Sequence, residues 1–287
     1  MLGHTKDTRL IPNTANFFWA GSKLSWLRYM TLYSFRHYHP DWQMLLYRST
    51  GESIVKSWQS HEMQDSDAYT GPDYTPRLAS LNITLEDYAP PFPKLAPAHA
   101  SDFFQWELLS TKGGFYFDMD ILFVRPLPYV RLINQDAVFC LSNGFMTIGM
   151  FASSPHCRLF MDIQSSAENN FTPGKYQCTG AEAIYRLANV WPKWGSYKNP
   201  GVMALNYLCR KYQDLKIINM PSTAVYPFTY REVSKIFQQV VSVPINCYGI
   251  HWFGGSALSQ QWNNILQPDT FGHYPNTITK ALKSLNL

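Results

Sequence analysis

Apolar and polar positions change period several times along the chain. Ile11 to Trp19 (IPNTANFFW) reads as a strand, and Gly21-Ser22 turns the chain after it. From Ser25 to His39 apolar residues fall at Trp26, Leu27, Met30, Tyr33 and Tyr38. That spacing predicts a helix, and Pro40 closes it. Trp42 to Tyr47 predicts a second strand, so the chain opens as β-α-β, the signature of a parallel sheet. Residues 61–77 (HEMQDSDAYTGPDYTPR) are polar and rich in turn formers, as expected of a long surface loop. The Pro-rich run Ala89–Pro97 leads into a helix that Gly113-Gly114 ends. Phe115 to Phe117 follows as a short buried strand.

Further strands are expected at Ala137–Leu141, Met146–Phe151, Lys216–Asn219 and Cys247–Trp252. Further helices are expected at Pro155–Ala167, Cys178–Val190 and Tyr230–Gln239. No internal repeat, low-complexity segment or clean linker divides the sequence. The expected fold class is therefore α/β: one domain over 1–287, with a central, mostly parallel sheet flanked by helices.

Composition narrows the function. Charged residues make up 15% of the 287, against roughly 25% in an ordinary soluble domain. Aromatics reach 16%, a content suited to a large core, to sugar stacking or to a membrane-facing surface. The net charge of +4 is too small for a dedicated nucleic-acid binder, so no nucleic-acid partner is expected. The N-terminus shows no signal-peptide pattern, and the uncharged stretch Ala137–Cys157 is broken by Ser142, Asn143, Gly144 and Pro155. Five scattered cysteines without a CxxC pair point to neither zinc nor a disulfide framework. A cytoplasmic setting is expected, with room for peripheral membrane or glycolipid contact. The sequons at Asn82 and Asn170 carry no expectation in that setting.

Two Asp-x-Asp pairs occur, and thirteen aspartates in a chain of this length make such a pair expected by chance. Asp65-Ser-Asp67 lies in the polar loop and reads as solvated. Asp118-Met-Asp120 differs, because it sits between the apolar runs Phe115–Phe117 and Ile121–Val124. Two carboxylates there are costly unless something compensates them. At the carboxyl end of a strand in an open α/β sheet, where ligands bind, they suit a hard divalent cation carrying phosphates.

These residues carry a resemblance. The segment Ala98–Pro128 (AHASDFFQWELLSTKGGFYFDMDILFVRPLP) resembles the sugar-binding region of DXD glycosyltransferases of the family-32 type, including capsular-polysaccharide and initiation-mannosyltransferase-like enzymes. It is more distantly similar to the clostridial-toxin glucosyltransferases. The shared pattern is a helix with Ser-Asp, a Gly-Gly turn, an aromatic and Asp-x-Asp. The opening PNTANFFWAG, with its Trp-bearing helix and strand, resembles the start of that family's nucleotide-binding half.

The resemblance implies a GT-A-like domain, with 1–128 as nucleotide-sugar-binding half and 129–287 as a less regular acceptor-side half. It implies retaining, metal-dependent transfer of a hexose from a nucleotide diphosphate sugar to a glycan or other hydroxyl, with no general base required. UDP-hexose is favoured over GDP-hexose, and Mn²⁺ or Mg²⁺ is the implied ion. Asp118 and Asp120 would hold the metal, with Asp118 also meeting the ribose, and Asp102 would bind donor-sugar hydroxyls. Asp102 stands three residues after His99 and four before Trp106, on one helical face. Gln105 takes the place of an Arg usual in the family, and Gln supplies no charge. Trp19 matches a tryptophan that stacks on the base. Gly114, Tyr116 and Asn143 fall in matching donor-site segments, and Thr179-Gly180-Ala181 resembles a Thr-Gly-Pro motif. His251 of the His251-Trp252-Phe253-Gly254 segment would complete the metal site. Ser256, Ser259 and Trp262 would lie near the diphosphate.

Rival readings fare less well. A haloacid-dehalogenase-type phosphatase needs Gly-Thr after the second Asp, where Ile121-Leu122 stand. No G-x-G-x-x-G and no G-x-S-x-G is present. A nucleotide-sugar or glycan-binding module with weak or no turnover is the alternative, kept open by Gln105.

Overall fold

Strand β1 (Thr14–Trp19) pairs in parallel with β2 (Gln43–Ser49), and helix α1 (Trp26–Tyr38) crosses between them. Ser25 caps α1 by accepting a hydrogen bond from the Arg28 backbone N–H, and Arg36 and His37 occupy the last turn, where the helix dipole favours cations. The computed structural model describes residues 10–50, 69–191 and 193–285. Residues 61–68 of the expected polar loop, and Asp65-Ser-Asp67 with them, lie outside the described residues.

The remaining elements follow in chain order. They are β3 (Thr84–Tyr88), α2 (Pro97–Thr111), β4 (Gly114–Phe117), β5 (Ile121–Phe123), α3 (Tyr129–Leu132), β6 (Ala137–Cys140), β7 (Met150–Ser153), α4 (Arg158–Asn169), α5 (Ala181–Leu187), α6 (Pro200–Lys211), β8 (Ile217–Met220), α7 (Val233–Phe237), β9 (Gly249–His251), α8 (Ala257–Ile265) and α9 (Thr277–Lys283). Seven strands form one sheet in the order β3-β2-β1-β4-β7-β6-β8. Only β7 runs against its neighbours in that sheet, so the sheet is mostly parallel, as the β-α-β opening predicted. A separate antiparallel ribbon joins β5 to β9.

Alternation along the strands divides the core. Phe115 and Phe117 of β4 pack with α1, α7, α9 and the ribbon, while Tyr116 faces α2, α4, α5 and α6. Both faces are therefore covered, which is why these strands read as continuous apolar runs. Much of the aromatic surplus sits here: Phe17, Phe35, Phe115, Phe117, Trp106, Phe151 and Phe160 are fully buried.

Several expected elements moved. The strand expected at Met146–Phe151 runs instead over Met150–Ser153. Asn143 and Gly144, both with positive φ, make a tight two-residue turn closed by reciprocal Ser142–Phe145 bonds, and residues 147–149 leave the sheet before β7 begins. The helix expected from Pro155 starts at Arg158, and that expected from Cys178 starts at Ala181. Thr75–Leu81, partly within the expected loop, forms 3-10 turns. Helices α6, α8 and α9 and strand β3 had not been expected. Asn199-Pro200-Gly201 has turn chemistry, yet Pro200 opens α6, and Gly201 lets the helix approach the backbone of Phe145 and Met146.

Candidate active site

Three groups that could hold a metal ion meet where β4 and β9 end and β5 begins. Asp118 follows the last residue of β4, Asp120 precedes β5, and His251 closes β9. The ribbon sets the meeting, since Ile121 pairs with His251 in register. His251 Nε2 lies 3.2 Å from Asp120 Oδ1 and 3.5 Å from Asp118 Oδ2. Neighbouring ligands of an ion bound at about 2.0–2.2 Å stand roughly 3 Å apart, so the two distances from His251 are of the size one divalent cation requires, and all three ligand atoms lie within 4.8 Å of one another.

Each group is held. The Asp118 N–H donates to Gly149 O (2.8 Å), and Tyr116 donates its hydroxyl to Asp118 Oδ1 (2.7 Å). The Gly254 N–H donates to Asp120 Oδ2 at 2.6 Å. That contact depends on Phe253, which adopts the left-handed region at φ 51 and so turns the next amide inward. Gly149 is glycine for a spatial reason. A Cβ there would sit 2.8 Å from Asp118 Oδ2 and 2.9 Å from both His251 Nε2 and the Tyr226 hydroxyl.

Burial lowers the affinity of His251 for a proton, but Asp120 and Asp118 outweigh it and raise its pKa, with Arg28 opposing. Burial also lowers the pKa of Arg28, with Asp120 and Asp118 pulling the other way. Tyr226 is held as the neutral phenol, first by burial and then by its acidic neighbours.

A cavity of about 680 Å³ opens on this cluster. Asp118, Asp120, His251 and Asn143 line it, along with the aromatics Phe145, Tyr176, Tyr185, Tyr230 and Phe253. Glu182 also reaches it, and lies within ion-pair distance of Lys175 (3.4 Å) and Arg186 (3.5 Å).

Other expected residues sit elsewhere. Asp102 is buried behind Gly180 and Ile148, where it accepts a 2.7 Å bond from the Thr179 hydroxyl and a long one from Gln105. Burial pushes its pKa well up, Thr179 counters, and Asp118 adds to the rise. Trp19 lines a second cavity of about 190 Å³ with Ala20, Gly21, Arg48, Ser49 and Asp87, at the carboxyl ends of β1, β2 and β3. Gly114 lies at the opposite end of β4 from Asp118, where a Cβ would strike Thr14 Oγ1. Trp262 stacks on Phe237, meets Tyr274 edge-on and is not among the residues lining the large cavity. Gly149, Tyr226 and Arg28 lie in stretches of sequence that carry no motif to mark them, and Phe253, within the His251-Trp252-Phe253-Gly254 segment, had been given no role of its own.

Residues 27–139 match the model of the glycosyltransferase sugar-binding region containing DXD motif. The pair Asp118-Met-Asp120 falls inside that match. Human alpha-1,4-N-acetylglucosaminyltransferase is 22% identical over 194 residues, which are 64% of this chain and 52% of that protein. The chain thus spans about half the length of this curated relative. Among solved structures, the PaToxG glycosyltransferase overlaps with a TM-score of 0.43 at 14% identity, covering 73% of this chain and 80% of that one. The glycosyltransferase GlyE of Streptococcus pneumoniae TIGR4 gives 0.45 at 9% identity, covering 96% and 60%. The galactosyltransferase LgtC, solved with donor and acceptor sugar analogs, gives 0.43 at 10% identity, covering 95% and 94%. Overlaps this loose assign no roles to individual residues.

Among the described residues no helix is long and apolar enough to cross a membrane.

Proposed function

We propose that the chain is a GT-A-like, metal-dependent glycosyltransferase that moves a hexose from a nucleotide diphosphate sugar to a glycan or other hydroxyl acceptor. The observation that carries this reading is the convergence of Asp118, Asp120 and His251 at the mouth of an aromatic-walled cavity, inside a segment matching a DXD sugar-binding region.

Asp118, Asp120 and His251 would hold Mn²⁺ or Mg²⁺. When bound, the ion supplies Lewis-acid stabilisation of the charge that builds on the diphosphate as the glycosidic C–O bond breaks. The protein residues do the positioning. Gly254 and Tyr116 fix the carboxylates, so little reorganisation is needed when the ion arrives. The aromatic wall offers flat faces for sugar rings.

Retention of anomeric configuration fits the same wall. Among the described residues, the carboxylates lining the large cavity are Asp118, Asp120 and Glu182. The first two are proposed metal ligands, and Glu182 is engaged by Lys175 and Arg186. None is left to deprotonate an acceptor for inversion, so the leaving phosphate would take that proton. UDP is favoured as the carrier nucleotide, with Trp19 as the stacking platform for its base.

A panel of UDP- and GDP-sugars, assayed with and without Mn²⁺ for donor hydrolysis, tests the reading. One or more donors should be hydrolysed only with metal, and Asp120→Asn should lower that rate by roughly 10²–10³-fold or more with an unchanged far-UV spectrum. Full activity in Asp120→Asn would sink the metal assignment. Binding of a donor without any turnover would leave the binding-module alternative.

A further inference from the structure

Arg28 stands on the third residue of α1 with its guanidinium between two indoles. Its Cζ lies 4.3 Å from the centroid of the Trp19 ring and 5.4 Å from that of Trp252. Stacking of this kind fixes the orientation of the guanidinium plane. The hydrogen bond that Arg28 does make uses its backbone N–H, to Ser25 Oγ. Among the described residues no carboxylate, carbonyl or hydroxyl accepts from the guanidinium.

Arg28 is partly buried, so its five N–H groups can still meet solvent, but among the described residues the protein itself offers them no acceptor. The neighbourhood makes the deficit larger. The indole Nε1 of Trp19 and that of Trp252 are buried without a hydrogen-bond partner. Three side chains in contact therefore hold donors in excess and no acceptors, which is the arrangement an anion with several oxygens would satisfy.

Position narrows the anion. Trp19 lines the 190 Å³ cavity at the strand ends. On the other side, Gly254 comes so close that a Cβ there would lie 3.0 Å from Arg28 Nη2. Its chain neighbours Phe253 and Gly255 line the 680 Å³ cavity with Asp118, Asp120 and His251. Arg28 thus packs between Trp19, which lines one cavity, and Gly254, whose chain neighbours line the other, and Asp120 and Asp118 partly offset the lowering of its pKa by burial.

We infer that Arg28 grips the diphosphate of a nucleoside diphosphate laid across the two cavities, with its base toward Trp19 and its phosphates toward Asp118, Asp120 and His251. This assignment rests on the nucleotide-sugar reading above. It adds a substrate-binding role for a residue that no motif marks. The planar fork can span two phosphate oxygens, and the two indoles hold it ready before the ligand arrives.

Calorimetric binding of UDP, UMP, uridine and inorganic pyrophosphate with Mg²⁺ tests it, in wild type, Arg28→Gln and Arg28→Lys. Arg28→Gln should bind UDP roughly ten- to a hundredfold more weakly while its affinity for uridine stays put, so the preference for diphosphate over nucleoside collapses. Arg28→Lys keeps the charge but not the fork and should fall between. A role confined to packing the indoles predicts a lower melting temperature with that preference intact, and this result overturns the assignment. Should Arg28→Gln fail to fold, Arg28→Lys decides, because a wild-type ratio of UDP to uridine affinity in that variant also overturns it. If wild type binds pyrophosphate through Arg28 but not UDP, the UDP-donor reading fails and the anion site stands. If wild type binds none of the four ligands, both fall.

Discussion

Asp120 Oδ1 lies 3.2 Å from Nε2 of His251, and the pairing of Ile121 with His251 across the β5–β9 ribbon puts them there. One side chain comes from the strand-rich first half of the chain and the other from near its end. A site built across a two-stranded ribbon depends on the register of that ribbon, since a slip by one residue would turn His251 to the other face.

His251→Ala removes one of three converging ligand atoms and leaves the two carboxylates in place. Affinity for Mn²⁺ should drop roughly 10- to 100-fold or more, as measured by calorimetry on the apo protein. Affinity equal to wild type would leave His251 as a buried partner of the two aspartates and nothing more.

Gly149→Ala places a methyl group against Asp118, His251 and Tyr226 at once. Overpacking of this kind costs about 1–3 kcal/mol. The expected result is a folded protein with a lower melting temperature and weakened Mn²⁺ affinity. Retention of full metal affinity would show that the cluster has more slack than the distances indicate.

Asp102 carries a pKa well above its ordinary value because it is buried, with only the Thr179 hydroxyl as a close donor. A carboxyl group raised in this way favours the folded state below its unfolded pKa. It withdraws that support as pH rises toward its folded pKa. Asp102→Asn keeps an acceptor for Thr179 and removes the titration. The variant should therefore melt at or above wild type at neutral pH, and the gap should narrow as pH falls to 4. A variant less stable than wild type at neutral pH would mean that Asp102 is held as the anion.

His39 behaves in the opposite sense. Burial lowers its pKa to about 4, against a smaller opposing effect from the Phe35 carbonyl. Its Nδ1 meets Phe35 O at 3.1 Å, and its Nε2 accepts from the Leu127 N–H at 2.8 Å, so both nitrogens serve the neutral ring. The folded pKa is depressed, so stability is intact above the unfolded value near 6.5 and is lost as pH falls toward 4. Between about pH 7.5 and 5 the loss should reach about 2 kcal/mol. Denaturant titrations at the two pH values should show this slope in wild type and a flatter one in His39→Gln. Equal slopes would remove His39 as the source.

The sequence by itself determined the opening β-α-β unit, because the spacing of Trp26, Leu27, Met30 and Tyr33 and the apolar runs on either side follow from helix and strand geometry alone. It also singled out Asp118 and Asp120, because charge between apolar strands stands out in a chain so poor in charge, whereas His251 was marked only by the family resemblance of its segment. It gave less warning of α6, which opens on the turn formers Asn199-Pro200-Gly201, and of α8 and α9, which are only nine and seven residues long. In α2, ten of fifteen residues are buried, so no single stripe marks how it packs.

Only the tertiary structure decided what surrounds the aspartates. Gly149 is required by three side chains from three separate segments, and Arg28 is enclosed by indoles from β1 and from the residue after β9. Nothing local marks such residues, since their importance lies in what they approach. Periodicity reports which face of an element is buried. It does not report which side chains from distant elements share a cavity, because sheet order and ribbon register set that, and both are fixed by long-range packing.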